Sequence, residues 1–262
     1  MKRFVLTIIV LAACTSVFGQ STDFERQVFT ASDGTVLNYR LLKPSDNAKG
    51  KKFPLVIFLH GAGERGSDNE KQLIHGSQMF LNPVNQEKYP AYVLFPQCPE
   101  EGFWAYDINT RRQGLDALKE EAQMPPIFNA VKEMIETYMD YPEVDKSRVY
   151  IMGLSMGGMA TFDMVARFPE FFAAAIPICG AVDPSRMSAI EGVKIRIYHG
   201  DADFTVPVEC SRKAYRALRA AGVDVEYFEF PGCGHASWNP AFCQPDFMEW
   251  LFKQKKARKY MK

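Results

Sequence analysis

Apolar residues fall along this chain in short, largely β-branched or aromatic runs, with longer stretches of helical period between them. Runs at residues 55–59, 92–95, 149–152, 174–178, 195–198 and 225–230 are bounded by turn residues, the pattern of strands buried in a parallel sheet. Residues 126–139, 156–167, 208–221 and 240–254 instead return apolar side chains every three or four positions and predict helices. Strand and helix in alternation predict an α/β fold: a mostly parallel, doubly wound sheet with helices on both faces. Ahead of it, residues 24–30 and 35–42 flank Asp33-Gly34, a two-residue turn signal, and predict an antiparallel hairpin at the sheet edge. Residues 96–126 mix Pro, Gly, aromatic and charged residues without a clean period. They read as a loop with a short helix over the strand ends, a kind of insertion that often carries specificity.

Composition narrows this picture. A chain of 262 residues suits one α/β domain, and 47% hydrophobic with 24% charged residues is the mixture of a packed globular protein. Lys plus Arg number 31 and Asp plus Glu number 31, so no bulk positive field is available to hold nucleic acid. A small-molecule or oligosaccharide substrate is the expected partner. Met1-Lys2-Arg3 followed by an apolar run from Phe4 to Ala13 reads as an export signal too short to span a bilayer. Val17-Phe18-Gly19 offers cleavage and release to the periplasm or beyond, leaving residues 20–262 as a single catalytic domain of net charge −2. Leu11-Ala12-Ala13-Cys14 competes as a lipobox, and lipidation at Cys14 is the one expected route to a membrane. Cys98, Cys179, Cys210, Cys233 and Cys243 remain after cleavage, an odd number. Cys233 and Cys243 could clamp the loop between them in an oxidising compartment; buried free thiols are an equal reading.

The chemistry concentrates in Gly153-Leu154-Ser155-Met156-Gly157, a G-x-S-x-G placed directly after a strand and directly before a helix. In that context the serine sits on a tight strand-to-helix turn with its hydroxyl above the sheet, beside the donors of a helix N-terminus. A serine hydroxyl is a poor nucleophile at neutral pH, so a base must take its proton and a carboxylate must orient that base. His199-Gly200-Asp201-Ala202-Asp203 follows a strand and supplies two carboxylates; Asp203 is preferred and Asp201 is the runner-up, its other role being to cap nearby amides. Gly232-Cys233-Gly234-His235 follows the last strand and carries the histidine downstream of the acid. His60 and His199 close strands and are expected to bond backbone, and His75 lies in a polar loop. The oxyanion of a tetrahedral intermediate needs two donors. The Met156 amide is one, and the loop Gly61-Ala62-Gly63 supplies the other, with Ala62 favoured and Gly63 next. Glu64 and Arg65 in that loop form an ion pair or, by default, are solvated charges.

Together Leu59-His60-Gly61-Ala62-Gly63-Glu64-Arg65-Gly66, Pro96-Gln97-Cys98-Pro99, the serine elbow, His199-Gly200-Asp201 with Asp203, and Gly234-His235 with Trp238 resemble a family of secreted bacterial esterases, also described as predicted peptidases. These are similar to polyhydroxybutyrate depolymerases and to feruloyl or acetylxylan esterases. The resemblance runs from about residue 30 to the end and implies an α/β-hydrolase fold, ester hydrolysis and no cofactor. It also implies Asp203 as the acid, three residues after the glycine of H-G-x-x-D. Trp104 and Trp238 are candidate substrate-binding aromatics, with Phe103 and Tyr106 beside Trp104 in the irregular insertion. No metal is expected, since neither H-E-x-x-H nor paired C-x-x-C spacing occurs. A serine peptidase and a non-catalytic carbohydrate-binding relative are the competing readings.

Overall fold

A computed structural model describes residues 23–44, 50–105 and 124–260. The expected export signal, Cys14 and Tyr106 lie outside the described residues. Eight strands form one sheet: β1 (Glu25–Thr30), β2 (Val36–Leu42), β3 (Phe53–Leu59), β4 (Tyr92–Pro96), β5 (Val144–Leu154), β6 (Ala174–Ile178), β7 (Lys194–Gly200) and β8 (Val225–Phe230). Their spatial order is β1-β2-β4-β3-β5-β6-β7-β8. Pairing is antiparallel for β1 with β2 and β2 with β4, and parallel from β4 through β8. This is the α/β-hydrolase fold. The edge hairpin forms as expected, but its turn does not. The ladder closes at Thr30 opposite Val36, and Ala31 and Thr35 then pair through their backbone around Ser32-Asp33-Gly34, with Gly34 at φ +87°. The loop therefore has three residues rather than two.

Helices α3 (Pro126–Met139), α4 (Met156–Arg167) and α5 (Glu209–Ala220) pack on one face with Leu55, Ile57 and Ile151. Helices α6 (Trp238–Phe242) and α7 (Phe247–Lys253) pack on the other with Val56, Phe58 and Met152. Neighbours along one strand thus serve opposite cores, which is why these strands are apolar without alternation. The helix expected at residues 240–254 is broken into α6 and α7. Pro245 lacks the amide a continuing helix would use and disfavours helical backbone at Gln244. Between β3 and β4 lie two short helices with no expected counterpart, α1 (Ser77–Leu81) and α2 (Pro83–Lys88). The second did carry a signal: the Asn82 side chain accepts from the Val84 amide, and Pro83 opens the first turn. Because β3 to β8 run parallel, the loops after β3, β5, β6, β7 and β8 all emerge at one edge of the sheet. Sites in sheets of this kind form at that edge.

Candidate active site

Ser155 is the single residue between β5 and α4, and it has φ 54° and ψ −116°. Such a conformation costs a residue with a side chain about 1–3 kcal/mol unless its surroundings enforce it. They do so by close backbone contact. A Cβ added to Gly157 would lie 1.9 Å from the Leu59 carbonyl oxygen, and one added to Gly158 would lie 2.4 Å from that of Ile178. The Ser155 amide donates to the Ile178 carbonyl at 2.9 Å. The turn is thereby wedged between the ends of β3 and β6.

From this turn a hydrogen-bonded chain crosses three loops. Ser155 Oγ lies 2.9 Å from His235 Nε2, and His235 Nδ1 lies 2.7 Å from Asp203 Oδ2. With the carboxylate accepting, Nδ1 carries the ring proton and Nε2 accepts from the serine hydroxyl. Burial alone would raise the Asp203 carboxyl, but donation from His235 and from the Val206 and Thr205 amides holds it below the ordinary carboxylate value. Those amides meet Oδ1 at 3.0 and 2.8 Å, so Asp203 itself stabilises the turn after β7. Asp201 does not cap its own turn. Its Oδ1 accepts from the Gly232 amide at 2.6 Å and ties the β7 loop to the loop bearing His235.

His199 does more than bond backbone. Its Nδ1 accepts from the Ser211 hydroxyl at 2.7 Å, and its Nε2 donates both to the Val206 carbonyl at 2.9 Å and to Asp203 Oδ2 at 3.2 Å. Burial pushes the imidazole below its ordinary value, against the raising effect of Val206 and Asp203, which keeps it neutral at pH 7. Asp203 Oδ2 therefore sits between two histidines, one of which reaches the serine.

Met156 opens α4 and Ala62 opens a single 3-10 turn, Ala62–Glu64. The first amides of a helix have no acceptor within it, so both are available to an oxyanion, as is Gly63. A Cβ built on Gly61 would lie 3.6 Å from Ser155 Cβ, which places this turn directly against Ser155. His60 fixes the turn from below. Its Nδ1 donates to the Gly61 carbonyl at 2.6 Å, and its Nε2 accepts from the Cys98 amide at 2.9 Å. Burial lowers its pKa to about 4. Trp104 is a correction: it is 0% exposed, and its Nε1 donates to the His60 carbonyl at 3.2 Å. It supports the loop from the core and offers no face to a substrate. Phe103 is also buried, under the Arg65 guanidinium at 5.0 Å. Arg65, half-buried, is bound to the Ala62 and Gly102 carbonyls while Glu64 is buried, so the expected Glu64–Arg65 choice between ion pair and solvated charges is replaced by two separate roles.

Cys179 follows β6 with its thiol in the same neighbourhood. Cys179, Asp203 and His235 offer three atoms within 4.8 Å of one another, close enough to suggest a metal. Burial pushes the thiol up to about 12, so it stays protonated at neutral pH, and the other two groups are already bonded to each other. All five cysteines among the described residues are free, Cys233 and Cys243 included.

Comparison with known proteins gives the family. The phospholipase/carboxylesterase family model matches residues 46–244. The chain belongs to that family. It is 37% identical to a thermostable esterase of known crystal structure, with a TM-score of 0.81 over 89% of this chain and 64% of the other. It is 27% identical to the probable carboxylesterase SOBER1-like of Arabidopsis thaliana over 70% of this chain and 73% of that one. Feruloyl esterase B of Thermothelomyces thermophilus is 28% identical over 48% of this chain and 39% of its own. The chain thus spans less than two thirds of the solved esterase.

This carboxylesterase-family site has one further wall. Trp238 begins α6, is half-buried, and sets its ring 5.6 Å from that of His235 and 5.1 Å from that of His75. His75 Nε2 stands 3.6 Å from Glu64 Oε1. Trp238, a candidate substrate-binding aromatic in the sequence, thus stands beside His235. Glu64 and His75 had no such expectation. A lone carboxylate in a Gly-rich loop and a histidine in a polar loop look solvated until the fold brings them together.

Proposed function

We propose that this chain is an exported serine carboxylic ester hydrolase that cleaves acyl or feruloyl esters of polysaccharides through an acyl-enzyme on Ser155. The observation that carries this is the unbroken chain from Ser155 through His235 to Asp203, set against two helix-opening amides. His235 Nε2 removes the serine proton as Oγ attacks the ester carbonyl, and Nδ1 keeps its proton on the bond to Asp203. The amides of Met156 and Ala62 receive the oxygen as it gains charge, each contributing about 3 kcal/mol in sites of this type. The imidazolium then protonates the departing alcohol, and a water activated by the same nitrogen releases the acid. The family and the esterase relatives support ester over amide substrates, and the feruloyl esterase relative supports a carbohydrate-linked one. The amino-terminal Met1-Lys2-Arg3 with its apolar run supports export.

Acetylated and feruloylated xylo-oligosaccharides assayed beside p-nitrophenyl acetate and a peptide panel test this reading. Release of acetate or ferulate is expected, and it should disappear on labelling of Ser155 by a fluorophosphonate. Turnover of peptides without ester cleavage would overturn it.

A further inference from the structure

Three features beside the nucleophile have no part in the chemistry above. Glu64 is only 9% exposed, and its Oε2 is buried without a hydrogen-bond partner. The Trp238 Nε1 donor is likewise buried and unpartnered. His75 joins them, 3.6 Å from the Glu64 carboxylate and with its ring tilted against that of Trp238 at 5.1 Å, its side chain 31% exposed. A buried polar atom without a partner costs on the order of 1–3 kcal/mol, more when it is charged. Two such atoms, carried by the two residues that His75 approaches and close to Ser155, mark a place completed by something that arrives.

Location makes that something the substrate. The position of a Cβ on Gly61 is 3.0 Å from Glu64 Oε2 and 3.6 Å from Ser155 Cβ, so the free carboxylate oxygen and the nucleophile flank the same glycine. Trp238 lies three residues beyond His235, and its ring meets that of the base edge to face. Near Ser155 and His235, a bound ester has either its acyl or its alcohol portion, and the group that His235 must protonate is the alcohol oxygen.

Resting on the ester-hydrolase reading, we propose that Glu64, His75 and Trp238 form a subsite for the alcohol half of the substrate, selecting alcohols that carry vicinal hydroxyls. A hydroxyl donates to Glu64 Oε2, and a neighbouring hydroxyl oxygen accepts from Trp238 Nε1. An ammonium group, all donors, would satisfy the carboxylate and leave the indole unpaired. A hydrocarbon alcohol would satisfy neither. The His75 ring, held by a tilted contact with Trp238 and a 3.6 Å approach to Glu64 rather than by a short hydrogen bond, turns to admit the diol.

Glycerol 1-monoacetate and propyl acetate share an acyl group and a carbon count and differ in two hydroxyls, so their kcat/KM ratio reads the subsite once each value is divided by its alkaline hydrolysis rate. The intact protein should favour the glyceryl ester by about tenfold or more, the yield of hydrogen bonds to a charged group. Glu64→Gln and, separately, Trp238→Phe should bring the ratio toward one. A ratio near one in the intact protein, or a high ratio that survives both substitutions, overturns the subsite. A fall in both esters with the ratio preserved also overturns it, since that is what a purely structural role would give. If neither acetate is hydrolysed at all, the ester-hydrolase reading has failed instead. Should Glu64→Gln not fold, Trp238→Phe decides alone.

Discussion

Ser155 holds a backbone conformation that its side chain resists, and removing the two halves of that conflict should have different effects. Ser155→Ala keeps the resistance and loses the hydroxyl; kcat should fall by about 10⁴ or more with little change in melting temperature. Ser155→Gly loses both, because glycine accepts positive φ readily. It should be equally inactive yet melt higher than Ser155→Ala by about 2–4 °C for each kcal/mol of strain relieved. Equal melting temperatures would show that the turn is unstrained. The two aspartates separate as cleanly. Asp203→Asn should lower kcat by about 10²–10⁴, since it disturbs the tautomer of His235. Asp201→Asn can still accept from Gly232 and should keep most of the activity while losing a few degrees of stability, as differential scanning fluorimetry would show. Asp203 was preferred over Asp201 in the sequence because the resemblance places the acid three residues after Gly200; motif order alone left both open. The role of His199 was not legible, because its partners Ser211 and Val206 are brought to it only by the start of α5.

At the scale of the element, the loop after β3 depends on a neutral His60. Burial holds its pKa at about 4 against 6.5 for the free side chain. Between those values the unfolded chain binds a proton that the folded one refuses, so stability falls as pH drops from about 6.5 to about 4. That one group contributes on the order of 3 kcal/mol to the fall, and His199, also lowered mainly by burial, acts in the same direction. His60→Gln should be less stable than the intact protein near neutral pH but lose less on acidification. The two melting curves should converge toward pH of about 4, and a gap that stays constant would contradict the neutral His60. Elements with strong period were read well from sequence: β6, β8, α3 and α4 have the expected bounds. The misreadings lie where one residue outweighs a pattern, as Pro245 does in dividing α6 from α7. They also lie where helices are too short to show a period, as with α1.

At the scale of the whole molecule, the sequence foretold a parallel sheet clothed on both sides, and the strand order places the loops after β3, β5, β6, β7 and β8 along one edge of it. What it did not foretell is the way distant loops share the burden of the site. Trp104, a candidate to meet the substrate, instead braces His60, while Glu64, read as an ion-pair partner of Arg65 or by default solvated, and His75, read as part of a polar loop, come together near Ser155. Such exchanges depend on which loop lies over which, and that is a property of topology rather than of local pattern.

The contact of Gly157 with the end of β3 ties these scales together. One proposed oxyanion donor belongs to α4 and the other to the loop after β3, and the two backbones touch where a methyl group would not fit. The aperture between the donors is therefore a single dimension of the molecule rather than two adjustable parts. Gly157→Ala should spread both donors at once and depress turnover, even though Ser155, His235 and Asp203 are all retained. A substitution in the Ala62 loop added to it should then cost much less than it does alone, because the aperture it would widen is already open.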